Sequence, residues 1–331
     1  MTASSIRRIL VAIRDPSHAP RLELRKAAEI ARAFNARIEL FHAVDLPQRS
    51  HALARKRAGA IEAQAQAAMQ LSDRRLQRFA GLAVLRGLRV TWHSNSDFPP
   101  HEAVIRRATR TAADLVVAGA RARGRLGRSL LGSSDWELIR QCPCPLLLVK
   151  CARPYSGSVL LAAVDPFHAH AKPADLDRRL LQYGGDLVKR LQASLHVFHA
   201  YAPLVEMAPT PAGPVVAFDL PPQAQAAHTD LIVQKVLQLA ASAAVPARAC
   251  HVQMGPVAGE LCALAGSLRA SLVVMGGVSR SGLRRIFIGA TAERVLDELK
   301  CDVLVVKPRG FSSAVGQREH LLCGAAVIGR A

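Results

Sequence analysis

The chain has 331 residues, half of them hydrophobic but only 4% aromatic, and a formal net charge of +19. That length suits two domains of ordinary size, whose cores must rest on Leu, Val, Ile and Ala. No apolar run approaches the roughly 20 residues of a membrane-spanning helix, and the start, MTASSIRRILVAIRD, reads as a strand rather than a signal peptide. The expected location is cytoplasmic.

In chain order, Arg8 to Ile13 is an apolar run that stops at Asp15-Pro16, a buried strand. Leu22 to Phe34 has helical spacing, and Arg37 to Val44 is a second strand. Ser50 to Phe79 lacks proline and is rich in Ala, Gln and Arg, so it predicts one long helix. Gly87 closes that region before a third strand, Leu88 to Trp92, with a helix at His101 to Thr111 and a fourth strand at Leu115 to Ala118. A short helix over Asp135 to Arg140, capped by Ser133, Ser134 or Asp135, precedes a fifth strand at Pro145 to Val149. The pattern then restarts. Cys151 to Ser158 is a short linker, and Val159 to Val164 is a strand ending at Asp165-Pro166. Phe198-His199-Ala200 repeats Phe41-His42-Ala43, with extra loop residues at 168–174. A Pro-rich, irregular insert, Tyr201 to Pro222, precedes a helix from Gln223 to Ala243 and can serve as a lid or docking arm. The remaining strands are Ala247 to Val252, Leu272 to Met275 and Val303 to Val306, with helices at Val257 to Leu268 and Ala292 to Leu299. Strands alternating with helices give an α/β fold with parallel sheets. Residues 1–152 and 156–308 are the expected domains, and residues 309–331 a mobile or loosely docked tail.

The clearest repeat is Asp114 to Lys150 against Ser271 to Lys307, 37 residues each and alignable without a gap. Gly119-Ala120-Arg121-Ala122 is followed by nine residues and Gly132-Ser133; Gly276-Gly277-Val278-Ser279 is followed by nine residues and Gly289-Ala290. This GxxG, nine-residue, G[S/T] spacing resembles the universal stress protein family, and the SDWELIRQCPCP run is similar to its tandem E-type members. The second glycine of GxxG is replaced by Ala122 and Ser279. The resemblance implies two Rossmann-like universal-stress-protein domains, each a five-stranded parallel sheet in the order 3-2-1-4-5 flanked by helices. It also implies a role in bacterial stress response.

In such a sheet, ligands bind beyond the C-terminal strand ends, where the strand order reverses. Glycines let backbone N–H groups approach a phosphate, and a helix N-terminus adds partial positive charge. By resemblance, the ATP-binding positions fall on Asp15, Val44, Gly119, Ala122, Gly132 and Ser133 in the first repeat. In the second they fall on Asp165, Gly276, Ser279 and Gly289. The implied ligand is a small molecule, with ATP as the candidate cofactor. An apolar or lipid-like ligand, or a scaffold role with degenerate phosphate loops, is the alternative.

Residues 1–150 hold 26 Lys+Arg against 12 Asp+Glu. Charge alone therefore leaves nucleotide, nucleic acid and an anionic surface open as partners. The scarcity of aromatics for stacking and the lack of a reading motif argue against nucleic acid. Seven cysteines without framework spacing fit a reduced protein. Cys142-Pro143-Cys144 is too close for an easy bridge and reads as two core-edge thiols at a turn. No metal-ligand spacing is present. His42 and His199 occupy matched strand positions, as do His93 and His251 at the ends of their third strands; each reads as a satisfied core histidine. No catalytic triad, paired-carboxylate site or GxxxxGK[ST] loop is visible, so the chain is expected to be regulatory rather than enzymatic. Weak ATPase activity or self-phosphorylation enters by resemblance alone. The expected partner is an unidentified regulatory protein. The expected assembly is a monomer with an internal pseudo-two-fold, or a homodimer.

Overall fold

The computed structural model describes residues 6–44, 58–120, 132–167, 175–208, 216–219, 221–277 and 290–315. The first half runs β1 (Arg8–Ala12), α1 (Arg21–Phe34), β2 (Arg37–Val44), α2 (Ala58–Ala80), β3 (Val90–Ser96), α3 (Pro100–Arg110), β4 (Leu115–Gly119), α4 (Ser133–Gln141) and β5 (Leu146–Val149). The second half runs β6 (Val159–Ala163), α5 (Leu176–Leu191), β7 (Ser194–Tyr201), β8 (Val205–Ala208), β9 (Val216–Asp219), α6 (Pro222–Ala241), β10 (Cys250–Met254), α7 (Val257–Ser267), β11 (Leu272–Gly276), α8 (Ala290–Glu298) and β12 (Asp302–Val306).

Each half is a parallel sheet in the expected order, β3-β2-β1-β4-β5 and β10-β7-β6-β11-β12. The two are not separate. β5 pairs with β12 antiparallel, fusing them into one ten-stranded sheet. Leu147 lies opposite Leu304, its own counterpart in the repeat, and Leu148 and Leu146 lie opposite Val303 and Val305. A strand that meets its own copy in this way marks an internal two-fold relation.

Burial on both faces explains the near-continuous apolar strands. Ile9, Val11, Leu115, Val117, Leu160 and Leu272 face one layer, under α1, α2, α5 and α6. Leu10, Val116, Leu146, Leu161 and Val273 face the other, under α3, α4, α7 and α8. In α1, Leu24, Ala27, Ala28, Ile30 and Ala31 recur at helical spacing and are buried. The helix stops at Asn35 in the left-handed conformation (φ 52°), and α5 stops at Gln192 in the same way (φ 54°).

Several expected bounds move. β3 spans Val90–Ser96, later than expected, because polar side chains alternate along a half-exposed edge strand and mimic a loop. His93 is therefore inside its strand, not at its end, and His251 lies inside β10. The insert after β7 is not wholly irregular, since β8 and β9 pair as an antiparallel hairpin. β10 begins only at Cys250, after a short 3₁₀ turn at Ala247–Ala249. In the tail, Val315 is buried against the core rather than loose. Residues 50–57, 168–174 and 316–331 lie outside the described residues.

Charged groups knit the seam between the halves. Lys26, Tyr155 and Asp302 are all fully buried. Asp302 accepts from Lys26 Nζ (2.8 Å), Tyr155 Oη (2.7 Å), Lys150 N (2.7 Å) and Cys151 N (2.9 Å). The Lys26 ammonium also lies 3.7 Å from the Tyr155 ring centre. Glu29 accepts from Tyr155 N and Ser156 N, each at 2.8 Å. The linker is thus tied to α1 on one side and to β12 on the other. A second device is reciprocal. Lys150, after β5, donates to Leu296 O and Leu299 O (3.0 Å for the latter) at the end of α8. Lys307, after β12, donates to Arg140 O (3.2 Å) at the end of α4. Each lysine therefore sits on the negative end of the other half's last helix.

Candidate functional site

β2 and β4 flank β1, so their C-terminal ends lie side by side where the strand order reverses, the place of the expected crevice, and Arg14 ties them to the start of α4. Val44 is the last residue of β2, buried, opposite Ser96. Asp15 follows β1 and is largely exposed. Its carboxylate accepts from Ser17 N (2.8 Å) and Ser17 Oγ (2.5 Å). The hydroxyl bond is the first cause of an Asp15 pKa below the ordinary range, so Asp15 is an ionised acceptor near neutral pH. Gly119 ends β4, and Gly132 is the residue before α4, with Ser133 as the first helical residue. Ala122 lies outside the described residues.

Three residues outside the ligand-binding positions implied by the resemblance, Asp135, Arg14 and Glu23, organise this crevice. Asp135 is fully buried and accepts from Gly132 N (2.9 Å), reaching back from the third helical position. The cap therefore comes from Asp135, while Ser133 lies within the helix. The other Asp135 oxygen accepts from Arg14, whose guanidinium also reaches Gly119 O (3.4 Å). Arg14 thus bridges the ends of β1 and β4 and the start of α4, with a third of its side chain still exposed. Glu23 of α1 packs onto Gly119. A methyl group there would meet the Glu23 carboxylate at 1.9 Å, so no larger residue fits without displacing it. Asp135 was one of the three expected caps, with Ser133 and Ser134. Nothing in the sequence marked Arg14 or Glu23.

The second crevice is built differently. Asp165 N donates to both Asp177 oxygens at 3.2 Å. Gly276, at the end of β11, is covered by Leu176 of α5, whose methyl would stand 2.7 Å from an added Cβ. Beside it, Gly277 faces Val305 and the Lys307 ammonium. Burial lowers the Lys307 pKa to about 8. Val164 N and O bond as Ile13 N and O do in the first half, so Asp165 stands where Arg14 does, and Ala292 stands where Asp135 does; the Arg–Asp bridge belongs to the first half alone. Ser279 and Gly289 lie outside the described residues.

The matched histidines are satisfied within their own halves. His42 Nδ1 donates to Ile13 O (2.8 Å) and His199 Nδ1 to Val164 O (3.0 Å), since a carbonyl can only accept. Burial lowers the His42 pKa, keeping it neutral. Among the described residues, no three His, Cys, Asp or Glu side chains cluster as a metal site, and no helix is long and apolar enough to cross a membrane. Two cavities lie away from both crevices. One of about 310 Å³ is at the N-terminal strand ends, lined by Arg8, Arg37, Glu39 and Thr91. The other, about 200 Å³, is at the seam, lined by Asp114, Cys144, Arg179 and Tyr183.

At Gly119 the described side chains include the cation Arg14 and the carboxylates Glu23 and Asp135, with the exposed Asp15 next to Arg14 in the chain. They suit the hydroxyl-rich or nitrogenous part of a ligand better than a polyphosphate. The arginines at 121, 123, 125 and 128 that would serve a phosphate fall outside the described residues.

The family model described as "Universal stress protein family" matches residues 5–150 and again 161–307. A Photorhabdus laumondii protein named Universal stress protein E is 26% identical over 321 residues, covering 92% of this chain and 96% of that one. Its Salmonella typhi namesake is 32% identical over 240 residues, covering 69% and 70%. Among solved structures, a Pseudomonas aeruginosa UCBPP-PA14 protein described as a universal stress protein aligns with a TM-score of 0.69 at 26% identity, covering 92% of this chain and 94% of its own. An Archaeoglobus fulgidus universal stress protein aligns at 0.59 with 16% identity, covering 90% and 98%, a likeness of fold alone.

Proposed function

The chain belongs to the universal stress protein family, whose members are implicated in stress response and are generally not catalytic enzymes; from that premise we propose that it is a cytoplasmic regulatory binder of a small molecule. The first crevice is the binding site, and ATP is the ligand to test first. Occupancy there biases a surface read by a protein partner. The observation that carries this reading is the Arg14 bridge: a cation with a third of its side chain exposed, held by a fully buried carboxylate that also caps the helix after the Gly-containing loop. Such a group is positioned before any ligand arrives, which lowers the cost of binding. Asp15 and Val44 would meet the sugar and base, and the start of α4 the phosphates. Leu176 over Gly276 favours a second reading for the other crevice, closed or open only to an apolar ligand.

The test is to purify the protein natively, denature it, identify any released small molecule by mass spectrometry, and titrate ATP against the stripped protein. Co-purified nucleotide, or saturable ATP binding that Gly132→Val weakens at least about tenfold, supports the first crevice. Gly132 has an ordinary φ of −85° and only a 3.6 Å contact beyond it, so the substitution spares the fold while crowding the turn. Glu23→Gln removes a carboxylate from Gly119 and should tighten ATP binding several-fold at low salt. A released acyl compound with no response to ATP would overturn the nucleotide assignment and favour the apolar reading.

A further inference from the structure

We propose that Cys142 and Cys144 form an oxidation site, in which a peroxide entering the seam cavity converts the two thiols to an intramolecular disulfide. The sulfur atoms lie 3.8 Å apart across Pro143, with both cysteines free. Cys142 is fully buried at the end of α4, while Cys144 is half-buried and lines the cavity of about 200 Å³ beside Asp114 and Tyr183. A molecule the size of hydrogen peroxide therefore meets Cys144 first, with the second thiol already in contact behind it.

The atoms balance in two steps. The Cys144 sulfur attacks a peroxide oxygen; an S–O bond forms, the O–O bond breaks, and hydroxide leaves with the thiol proton as water. Cys144 is then a sulfenic acid. The Cys142 sulfur attacks Cys144 Sγ; the S–S bond forms, the S–O bond breaks, and hydroxide leaves with the Cys142 proton as a second water. Two thiols are oxidised, and one peroxide is reduced to two waters.

The surroundings suit Cys142 to the second step. The contact with Cys144 and the Lys307 charge hold its thiol below the ordinary range. The same contact and burial hold Cys144 well above the ordinary range, so its attack on peroxide requires loss of its own proton, and the oxidation should speed up with rising pH. A ring closed by one intervening residue is strained, which makes the product readily reduced and hence reversible. The second half supplies a built-in contrast. Leu299 stands at the position of Cys142, and burial pushes Cys301, the counterpart of Cys144, up to about 12.

Trypsin releases Gln141–Lys150 as one peptide holding both cysteines. After hydrogen peroxide treatment of the reduced full chain, trapping of free thiols and digestion, this peptide should appear lighter by two hydrogens and unalkylated. It should form at least about tenfold faster in the native chain than in urea, because the fold holds the sulfurs together. In Cys144→Ser, Cys142 should stay reduced and alkylatable once the chain is unfolded. Three results would overturn the proposal: a doubly alkylated peptide after oxidation, equal rates in native and unfolded chains, or Cys144 driven to sulfinic acid beside a free Cys142.

Discussion

Lys26 sits in the middle of an apolar helical face, yet its ammonium is fully enclosed with the Asp302 carboxylate and the Tyr155 ring. Removing one partner of a buried pair leaves the other charge uncompensated. Lys26→Met should cost about 3–5 kcal/mol, whereas Tyr155→Phe, which deletes one hydrogen bond to Asp302, should cost only about 1–3 kcal/mol. Urea unfolding curves measure both, and a Lys26→Met variant within about 1 kcal/mol of the parent would show that Lys26 does not hold the seam. None of these three residues was legible as a partner in the sequence, because 276 positions separate Lys26 from Asp302 and only the shared sheet brings them together. Gly119 and Gly132 were legible, since spacing survives as a repeat. Arg14 and Glu23 were not, because a charged residue near a strand end or in a first helical turn looks like any solvated one.

Among the elements, the strand and helix order was readable wherever burial on both faces wrote a continuous apolar run. It failed at β3 and β10, the two sheet edges, where one flank meets solvent and the pattern becomes polar. The fusion of β5 to β12 was not readable either, since nothing in an apolar run says which neighbour it takes. That fusion is what lets Lys150 and Lys307 reach across to the last helices. The Lys307 pKa falls from 10.5 to about 8 on folding, through burial. Between those values the unfolded chain binds the extra proton, so this residue's contribution to stability rises with pH, by at most about 1.4 kcal/mol per pH unit. The stability of the parent relative to Lys307→Met should therefore increase from pH 8 to pH 10. A difference that stays flat across that interval would mean that Lys307 keeps its ordinary pKa in the folded chain.

At the scale of the whole molecule, burial lowers the pKa of five histidines, His42, His93, His101, His196 and His251, below 6.5. They are spread over both halves, and His196 and His251 bond to one another at 2.9 Å. Because the unfolded chain takes up protons first as pH falls through 6.5, the folded state loses stability on acidification and is favoured above that value. The urea midpoint should drop from pH 7.5 to pH 5.5, a range that leaves the carboxylates ionised. An unchanged midpoint would show that these rings titrate alike in both states.

The chain crosses its pseudo-two-fold seam only once, and this gives the molecule a sidedness that a pair of identical single domains would lack. On the crossing side, Tyr155 fills the space between Lys26 and Asp302. On the opposite side, the counterparts of Lys26 and Asp302, which are Tyr183 and Pro145, border an open hollow of about 200 Å³ together with Ile6. One flank is stoppered by the linker and the other is left ajar. Anything that wedges the halves apart therefore has a preferred door, and Cys144 stands at its threshold.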